Sequence, residues 1–153
     1  MTLKCQEAIL ELQKKYPQKR SALIPALHLA QEEVGYLPFD VQKEVAELFG
    51  IDPNEVHAVV SFYDMFFDHP VGKKVIHVCK NLSCRLRGSE AVMKTLCEAL
   101  HIGPEGGTAA DGSYTVIPSE CLGACDRAPM MIVGETVVGP CVPETVMKEV
   151  ERA

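Results

Sequence analysis

The sequence predicts an α/β (α+β) protein in which a small helical bundle precedes a domain built on one mixed β-sheet. Apolar residues of the first 70 positions recur at helical spacing, between short stretches that contain proline and glycine. After residue 70 the pattern changes to short β-branched runs that alternate with helical segments. All aromatic side chains except Tyr114 also precede residue 70. We therefore divide the chain into a helical N-terminal domain, 1–70, and a second domain, 71–153.

Four short helices are predicted in the first domain, which is typical of a small bundle. Ser21 is an expected N-cap of the second helix, Gly35 and Gly50 are expected to end the second and third, and Asp52-Pro53 begins the fourth. The apolar positions of the helices, in chain order, are Ile9, Leu10, Leu12 and Tyr16; Leu23, Leu27, Ala30 and Val34; Val41, Val45 and Leu48; and Val56, Val59 and Val60. An aromatic run from Phe62 to Phe67 is either core packing or a partner-facing patch.

The second domain reads as strand, helix, strand, loop, hairpin and helix, an order that indicates one mixed sheet covered by helices. The hairpin is expected to turn at Gly134-Glu135. The predicted segments are strands 73–79 and 114–117, helix 88–100, loop 103–113, hairpin strands 130–133 and 136–138, and a closing helix 143–152.

Composition and charge exclude several classes of protein. With 15 basic and 21 acidic residues the net charge is −6, and there is no basic tract, so nucleic-acid binding is not expected. The 47% of apolar residues is too high for a disordered chain, yet no apolar run approaches the roughly 18 residues that span a bilayer. Because the first ten residues lack the apolar core of a signal peptide, we expect a cytoplasmic protein without direct membrane insertion.

Four of the seven cysteines form two pairs with distinctive spacing. Four residues separate Cys79 from Cys84, three separate Cys121 from Cys125, and each pair lies where a predicted strand gives way to a loop. Loops at one end of a sheet can bring four sulfurs together on rigid supports. Four thiolates are the ligand set of a [2Fe–2S] cluster, two for each iron.

The spacing favours an iron–sulfur cluster and leaves a structural zinc scaffold with four cysteine ligands as the main alternative. Zinc knuckles most often have two residues between paired cysteines, and neither pair here has two. The same absence of C-x-x-C argues against a thioredoxin-type dithiol, and no histidine accompanies the second pair as a Rieske centre requires. Basic residues beside the pairs either favour an anionic cofactor or form a solvated patch; they are Lys80, Arg85, Arg87 and Arg127.

The remaining cysteines are interpreted as packed, structural or exposed residues and not as cluster ligands. Cys97 lies in the middle of a predicted helix and is expected to pack in a core, Cys5 lies in the first helix, and Cys141 is not expected to be a fifth ligand. His77 alternates on the same strand face as Cys79, and a packed histidine is favoured over a cluster contact.

The two cysteine segments, 79–90 and 120–129, resemble the thioredoxin-like [2Fe–2S] ferredoxin family, and within it the 24 kDa-type (E) subunit of NADH:quinone oxidoreductase. Upstream segments 21–33, 35–38 and 60–66 are similar to the helical part of that subunit, so the resemblance covers nearly the whole chain. It implies a helical bundle followed by a thioredoxin-like sheet, and Cys79, Cys84, Cys121 and Cys125 as the cluster ligands.

The resemblance also implies a function and partners. The chain would be an electron-transfer subunit of a complex I type assembly, without catalytic residues of its own, beside the flavoprotein subunit that binds FMN and NADH. A larger iron–sulfur subunit would be a second partner, and the assembly would be a peripheral arm on the cytoplasmic face of the membrane. NAD and FMN are expected on the partner, in agreement with the absence of a G-x-G-x-x-G fingerprint or P-loop here. The same module occurs in NAD-linked hydrogenases, formate dehydrogenases and electron-bifurcating complexes, which stay open as alternatives.

Overall fold

The computed structural model describes residues 3–153, which form two compact units divided between Pro70 and Val71. That these units are independent domains stays a prediction. Within the described residues, none of the helices combines the length and the apolar character that a bilayer crossing requires.

The first unit consists of four helices, as the sequence predicts. They are α1 (Gln6–Gln13), α2 (Leu23–Val34), α3 (Phe39–Phe49) and α4 (Pro53–Phe62). Their inward faces meet in a core whose fully buried side chains include Ile9, Leu27, Leu37, Val45 and Val56. Burial of these faces stabilises helices that are individually too short to persist in water.

Local signals explain most of the helix ends. Gly35 and Gly50 follow α2 and α3 with φ of 90° and 66°, a left-handed conformation that glycine adopts without a Cβ clash. The Asp52 side chain accepts a hydrogen bond from the Asn54 N–H at 2.8 Å and caps α4. Two expectations were wrong. The chain enters α2 through a 3₁₀ turn, Lys19–Ala22, so Ser21 is not its N-cap, and α1 ends before Tyr16.

The second unit is built on a five-stranded mixed sheet, which confirms the predicted fold class. Its strands are β1 (Lys74–Cys79), β2 (Gly107–Thr108), β3 (Tyr114–Ser119), β4 (Met131–Val133) and β5 (Thr136–Val138). The order is β2-β3-β1-β4-β5, in which β1 and β3 run parallel and all other neighbours antiparallel. The central strand β1 is therefore hydrogen-bonded on both edges.

Three helices complete this unit: α5 (Leu82–Leu86), α6 (Ser89–Ala99) and α7 (Val146–Arg152). The helix α6 packs on β1 and β3, and α7 packs on α6. Leu96, Ile76 and Met131 are fully buried in the core between them. The sequence missed α5 and the two-residue strand β2 inside the predicted loop, because both are too short to show periodicity.

Candidate metal centre

The two cysteine pairs lie at the same end of the sheet, where β1 and β3 finish. Cys79 is the last residue of β1, and it lies opposite Ser119, the last residue of the parallel neighbour β3. Because parallel strands end on the same side, the loops that follow β1 and β3 start next to each other. Cys84 lies in the first of these loops, within α5, and Cys121 and Cys125 lie in the second.

The first pair is buried on regular structure. Cys79 and Cys84 are only 2% and 1% exposed, and the Cys79 N–H donates to the Met130 carbonyl at 3.2 Å. Asn81 caps the start of α5 by accepting from the Leu82 N–H at 2.9 Å, which fixes the helix that carries Cys84. Burial, together with the Cys79 thiol, raises the pKa of Cys84, whereas the Met130 N–H lowers it by donating to the sulfur.

The second pair is exposed and carried by a loop. The Cys121 and Cys125 sulfurs lie 3.9 Å apart, and a 3₁₀ turn begins at Cys125. Gly123, with φ of 86°, allows the chain to reverse between them. The hydrogen bond and charge of Cys121 raise the pKa of Cys125, and the Ser83 hydroxyl on α5 lowers it by donating to the Cys125 sulfur.

The two pairs lie close enough to influence each other. Negative charge on Cys125 raises the pKa of Cys84, and negative charge on Cys79 raises that of Cys125. All seven cysteines carry free thiols in the structure. Among residues 3–153, however, no three His, Cys, Asp or Glu side chains converge as ligands of one metal ion. The arrangement is one of two neighbouring thiol pairs.

Comparison with known proteins identifies the family to which this chain belongs. The sequence model of the thioredoxin-like [2Fe–2S] ferredoxins matches residues 9–153. The chain belongs to the thioredoxin-like [2Fe–2S] ferredoxin family. The predicted fold class, family and [2Fe–2S] cofactor are thereby confirmed.

Alignments with named relatives cover most of this ferredoxin. It is 43% identical over 125 residues to the E-subunit 2 of NADH-quinone oxidoreductase from Rhizobium meliloti (strain 1021), covering 82% of this chain and 74% of the relative. It is 34% identical over 146 residues to the E-subunit of the same enzyme from Escherichia coli (strain K12), covering 95% and 87%. A crystal structure of the NAD⁺-reducing [NiFe]-hydrogenase, in its air-oxidized state, superimposes with a TM-score of 0.72 at 28% identity. That match includes 85% of this ferredoxin but only 22% of the hydrogenase chain.

The chemistry of the donor set fits the family's cluster. Four thiols in two pairs match the four thiolate ligands of a [2Fe–2S] cluster, two on each iron. The Met130 N–H on Cys84 and the Ser83 hydroxyl on Cys125 supply the hydrogen bonds that stabilise sulfur in its charged form. The sequence offered no signal for either donor, since both depend on how the loops pack.

The basic residues beside the pairs are mostly neutralised. Lys80 pairs with Glu120 at 3.0 Å, Arg85 with Glu90 at 2.8 Å, and Arg127 with the neighbouring Asp126 at 3.7 Å. All three pairs are exposed, so each contributes little to stability. For these three residues the exposed ion pairs favour the solvated patch over a positive environment for an anionic cofactor, because each cation has an acidic neighbour.

The other cysteines do not belong to either pair, although Cys97 and Cys141 both lie near the first pair. Cys97 is buried in α6, as expected, and lines a cavity of about 610 Å³ together with Cys79, Met93 and Ile102. The buried Cys141 thiol donates to the Val138 carbonyl at 3.4 Å, and burial reinforced by the Glu149 charge raises its pKa to about 12.

Two further residues shape the site. His77 on β1 contacts Ser119 at the end of β3, with 2.9 Å between Nδ1 and Oγ. Gly139 was missed as a site residue. A Cβ at Gly139 would lie 2.5 Å from the carbonyl oxygen of Arg127, the last residue of the turn that starts at Cys125. The Gly139-Pro140 sequence marks a turn, but only the fold brings it against the cysteine loop.

Proposed function

We propose that this ferredoxin is an electron-transfer subunit that holds one [2Fe–2S] cluster through Cys79, Cys84, Cys121 and Cys125. Its place is beside the FMN- and NADH-binding flavoprotein subunit of an NADH:quinone oxidoreductase (complex I) type assembly. The observation that carries the proposal is that two pairs of free thiols lie at the end of the sheet where β1 and β3 finish. The chain also aligns with the Escherichia coli E-subunit over 95% of its length.

Each part of the site has a separate task in this proposal. When bound, a [2Fe–2S] cluster accepts and returns one electron. The Cys79 and Cys84 thiolates would fix one side of it on rigid, buried elements and exclude water there. Cys121 and Cys125 would hold the other side at the surface, towards a partner. NAD and FMN would be bound by the flavoprotein, in keeping with the lack of a G-x-G-x-x-G or P-loop motif in this sequence.

The proposed partners are the flavoprotein subunit and a larger iron–sulfur subunit, and the proposed location is the peripheral arm at the cytoplasmic face. An equivalent subunit of an NAD-linked hydrogenase is a second candidate. The superposition on the NAD⁺-reducing hydrogenase, at a TM-score of 0.72, supports it. Only about a fifth of that chain is matched, so the remainder of the hydrogenase chain corresponds to nothing in this one.

Anaerobic purification or reconstitution tests the cofactor assignment. We expect a brown-red protein with two irons and two acid-labile sulfides per chain, since that is the content of one cluster. Stoichiometric zinc in a colourless protein, with neither iron nor sulfide, would overturn the assignment in favour of a zinc scaffold.

Electron transfer is tested with the flavoprotein subunit of the same organism. NADH is expected to bleach the visible absorption of the cluster only when the FMN-loaded flavoprotein is present. Bleaching by NADH with the ferredoxin alone would contradict the proposed division of labour.

A further inference from the structure

The exposed cysteine pair is placed for a reaction between its own two sulfurs. The Cys121 and Cys125 sulfurs lie 3.9 Å apart, and both residues are exposed. A disulfide bond is about 2.05 Å long, so the two sulfurs need to move about 2 Å closer to form one. The residues from Cys121 to Ala124 lie outside helices and strands and include Gly123, so the loop can make that adjustment.

Most of the other cysteines are shielded from an oxidant in solution. Cys79 and Cys97 are 2% exposed, and Cys84 and Cys141 are 1% exposed. Cys5 is partly exposed and lies in the helical unit, where it is the only cysteine. Thiol–disulfide exchange requires that the sulfur be reached. A bulky oxidant therefore finds two accessible, neighbouring thiols at one place in the described chain, the loop from Cys121 to Cys125.

We propose that Cys121 and Cys125 are a reversible oxidation site, which glutathione disulfide converts to an intramolecular disulfide bond in the cluster-free chain. One cysteine sulfur attacks glutathione disulfide, forms a mixed disulfide and releases one glutathione. The other cysteine sulfur attacks the mixed disulfide, closes the protein disulfide and releases the second glutathione. The two cysteines lose two electrons and two protons, and the two released glutathione molecules carry them.

The short distance between the sulfurs favours the second step. Because both thiols belong to one loop, the attack on the mixed disulfide is intramolecular and does not wait for an encounter in solution. Exposed disulfides are also the ones that are readily reduced, so a dithiol reductant is expected to reopen this bond. The pair therefore cycles between a dithiol and a disulfide.

Oxidation of this pair controls whether the chain accepts a cluster. A [2Fe–2S] cluster requires four thiolates, and the disulfide leaves only the buried Cys79 and Cys84 of the proposed ligand set. The oxidised chain accordingly takes up no cluster until the pair is reduced. This consequence rests on the function proposed above, whereas the reaction of the pair depends on the described loop alone.

The first measurement counts thiols in the full wild-type chain. The chain is freed of iron with a chelator under reducing, anaerobic conditions, separated from the reductant and incubated with glutathione disulfide. We expect alkylation to count five thiols instead of seven, because the disulfide consumes two. Cleavage after glutamate yields the peptide 121–135, which contains Cys121 and Cys125 and no other cysteine. Mass spectrometry is expected to find this peptide unalkylated and lighter than its reduced form by two hydrogen atoms.

The second measurement follows cluster uptake by the same samples. A donor protein that carries a preassembled [2Fe–2S] cluster is mixed with reduced or oxidised chain, without free thiol or sulfide, since both reduce disulfides. Iron bound to the oxidised chain is expected to stay at background. Uptake is expected to return to the level of the reduced chain after treatment with dithiothreitol and its removal.

Two variants serve as controls for the assignment of the pair. Cys121→Ser leaves Cys125 without its partner, so the reaction is expected to stop at one bound glutathione, with five of six thiols free. Cys5→Ser removes the partly exposed thiol of the helical unit and is expected to form the disulfide as the wild type does, with four of six thiols free.

Each outcome leads to a distinct conclusion. Seven free thiols, a stable mixed disulfide in the wild type, or a bond from the loop to another cysteine would overturn the oxidation site and leave the proposed function intact. Full cluster uptake by the oxidised chain would overturn its control of loading. If the reduced chain takes up no cluster, the proposed function fails, while the thiol count still decides whether the oxidation site exists.

Discussion

Cys84 and Cys97 form a matched pair for testing the ligand assignment. They are 1% and 2% exposed, both lie in helices of the second unit, and burial raises the pKa of both thiols. The Cys84 thiol interacts with both Cys79 and Cys125, whereas the Cys97 thiol accepts the Gly106 N–H in the wall of the cavity that it lines with Cys79. Replacing each by alanine removes the same sulfur atom from equally buried surroundings.

The expected magnitudes follow from burial and ligation. Loss of one buried sulfur, comparable to a methylene group with its cavity, costs about 1–2 kcal/mol of unfolding free energy. In a chain of 153 residues this lowers the melting temperature by about 2–8 °C. Cys97→Ala should show this decrease with full iron content. Cys84→Ala should add to it the loss of one of four ligands, so that iron per chain falls to a small fraction of the wild-type value.

Iron and acid-labile sulfide per chain, with the visible spectrum and the electron paramagnetic resonance signal of the reduced protein, measure the difference under anaerobic conditions. Thermal melts of the same samples measure the packing cost. Loss of iron from Cys97→Ala, or an unchanged cluster signal in Cys84→Ala, would refute the choice of ligands. Similar iron losses in both variants would show that burial, and not ligation, controls the cluster.

Three other predictions concern residues outside the ligand set. Asp52→Ala should lower the unfolding free energy by about 0.5–2 kcal/mol in denaturant titrations through loss of the α4 cap, with unchanged iron; a change in iron would contradict this. Gly139→Ala should lower both stability and iron content, because its Cβ would meet the Arg127 carbonyl oxygen at 2.5 Å and displace the cysteine loop; full iron content would show that the loop adapts. Burial, and after it the Glu33 carboxylate, raises the pKa of Cys5 to about 11. Glu33→Gln should therefore lower the pKa of Cys5 and speed alkylation of the Cys5 thiol by iodoacetamide at pH 8, as followed by mass spectrometry. An unchanged or slower alkylation rate would count against Glu33 as a cause.

Much of the fold could be predicted because its signals are local. Gly35 and Gly50 end their helices through a backbone conformation that depends on the residue itself, and Asp52 caps α4 through a contact two residues away. Ser21 failed as a cap because the approach of the chain, a 3₁₀ turn, shifted the start of α2 to Leu23. The helix α5 escaped prediction because five residues complete little more than one turn.

Some features of the site could also be predicted from short sequence segments, whereas others depend on tertiary packing. Cysteine spacing predicted which sulfurs would form pairs, since a cysteine pair is a property of a short segment. The contrast between a buried and an exposed pair could not be predicted, because it depends on what the fold lays over each loop. The aromatic run likewise split, with Phe66 buried and Phe62 exposed, although the two interpretations had treated it as one surface.

The contrast between the pairs has a physical consequence for how the cluster and the fold stabilise each other. Cys79 is fixed by a strand that is paired on both edges, and Cys84 by a capped helix, so their positions are set by the fold alone. The stretch from Cys121 to Ala124 belongs to no helix or strand, and ordering it costs conformational entropy that local hydrogen bonds only partly offset. The binding free energy of a metal centre contributes to folding, and it contributes most where the fold alone does not fix the ligands. The cluster would therefore stabilise mainly the Cys121–Cys125 loop, which is also the part that a redox partner can reach.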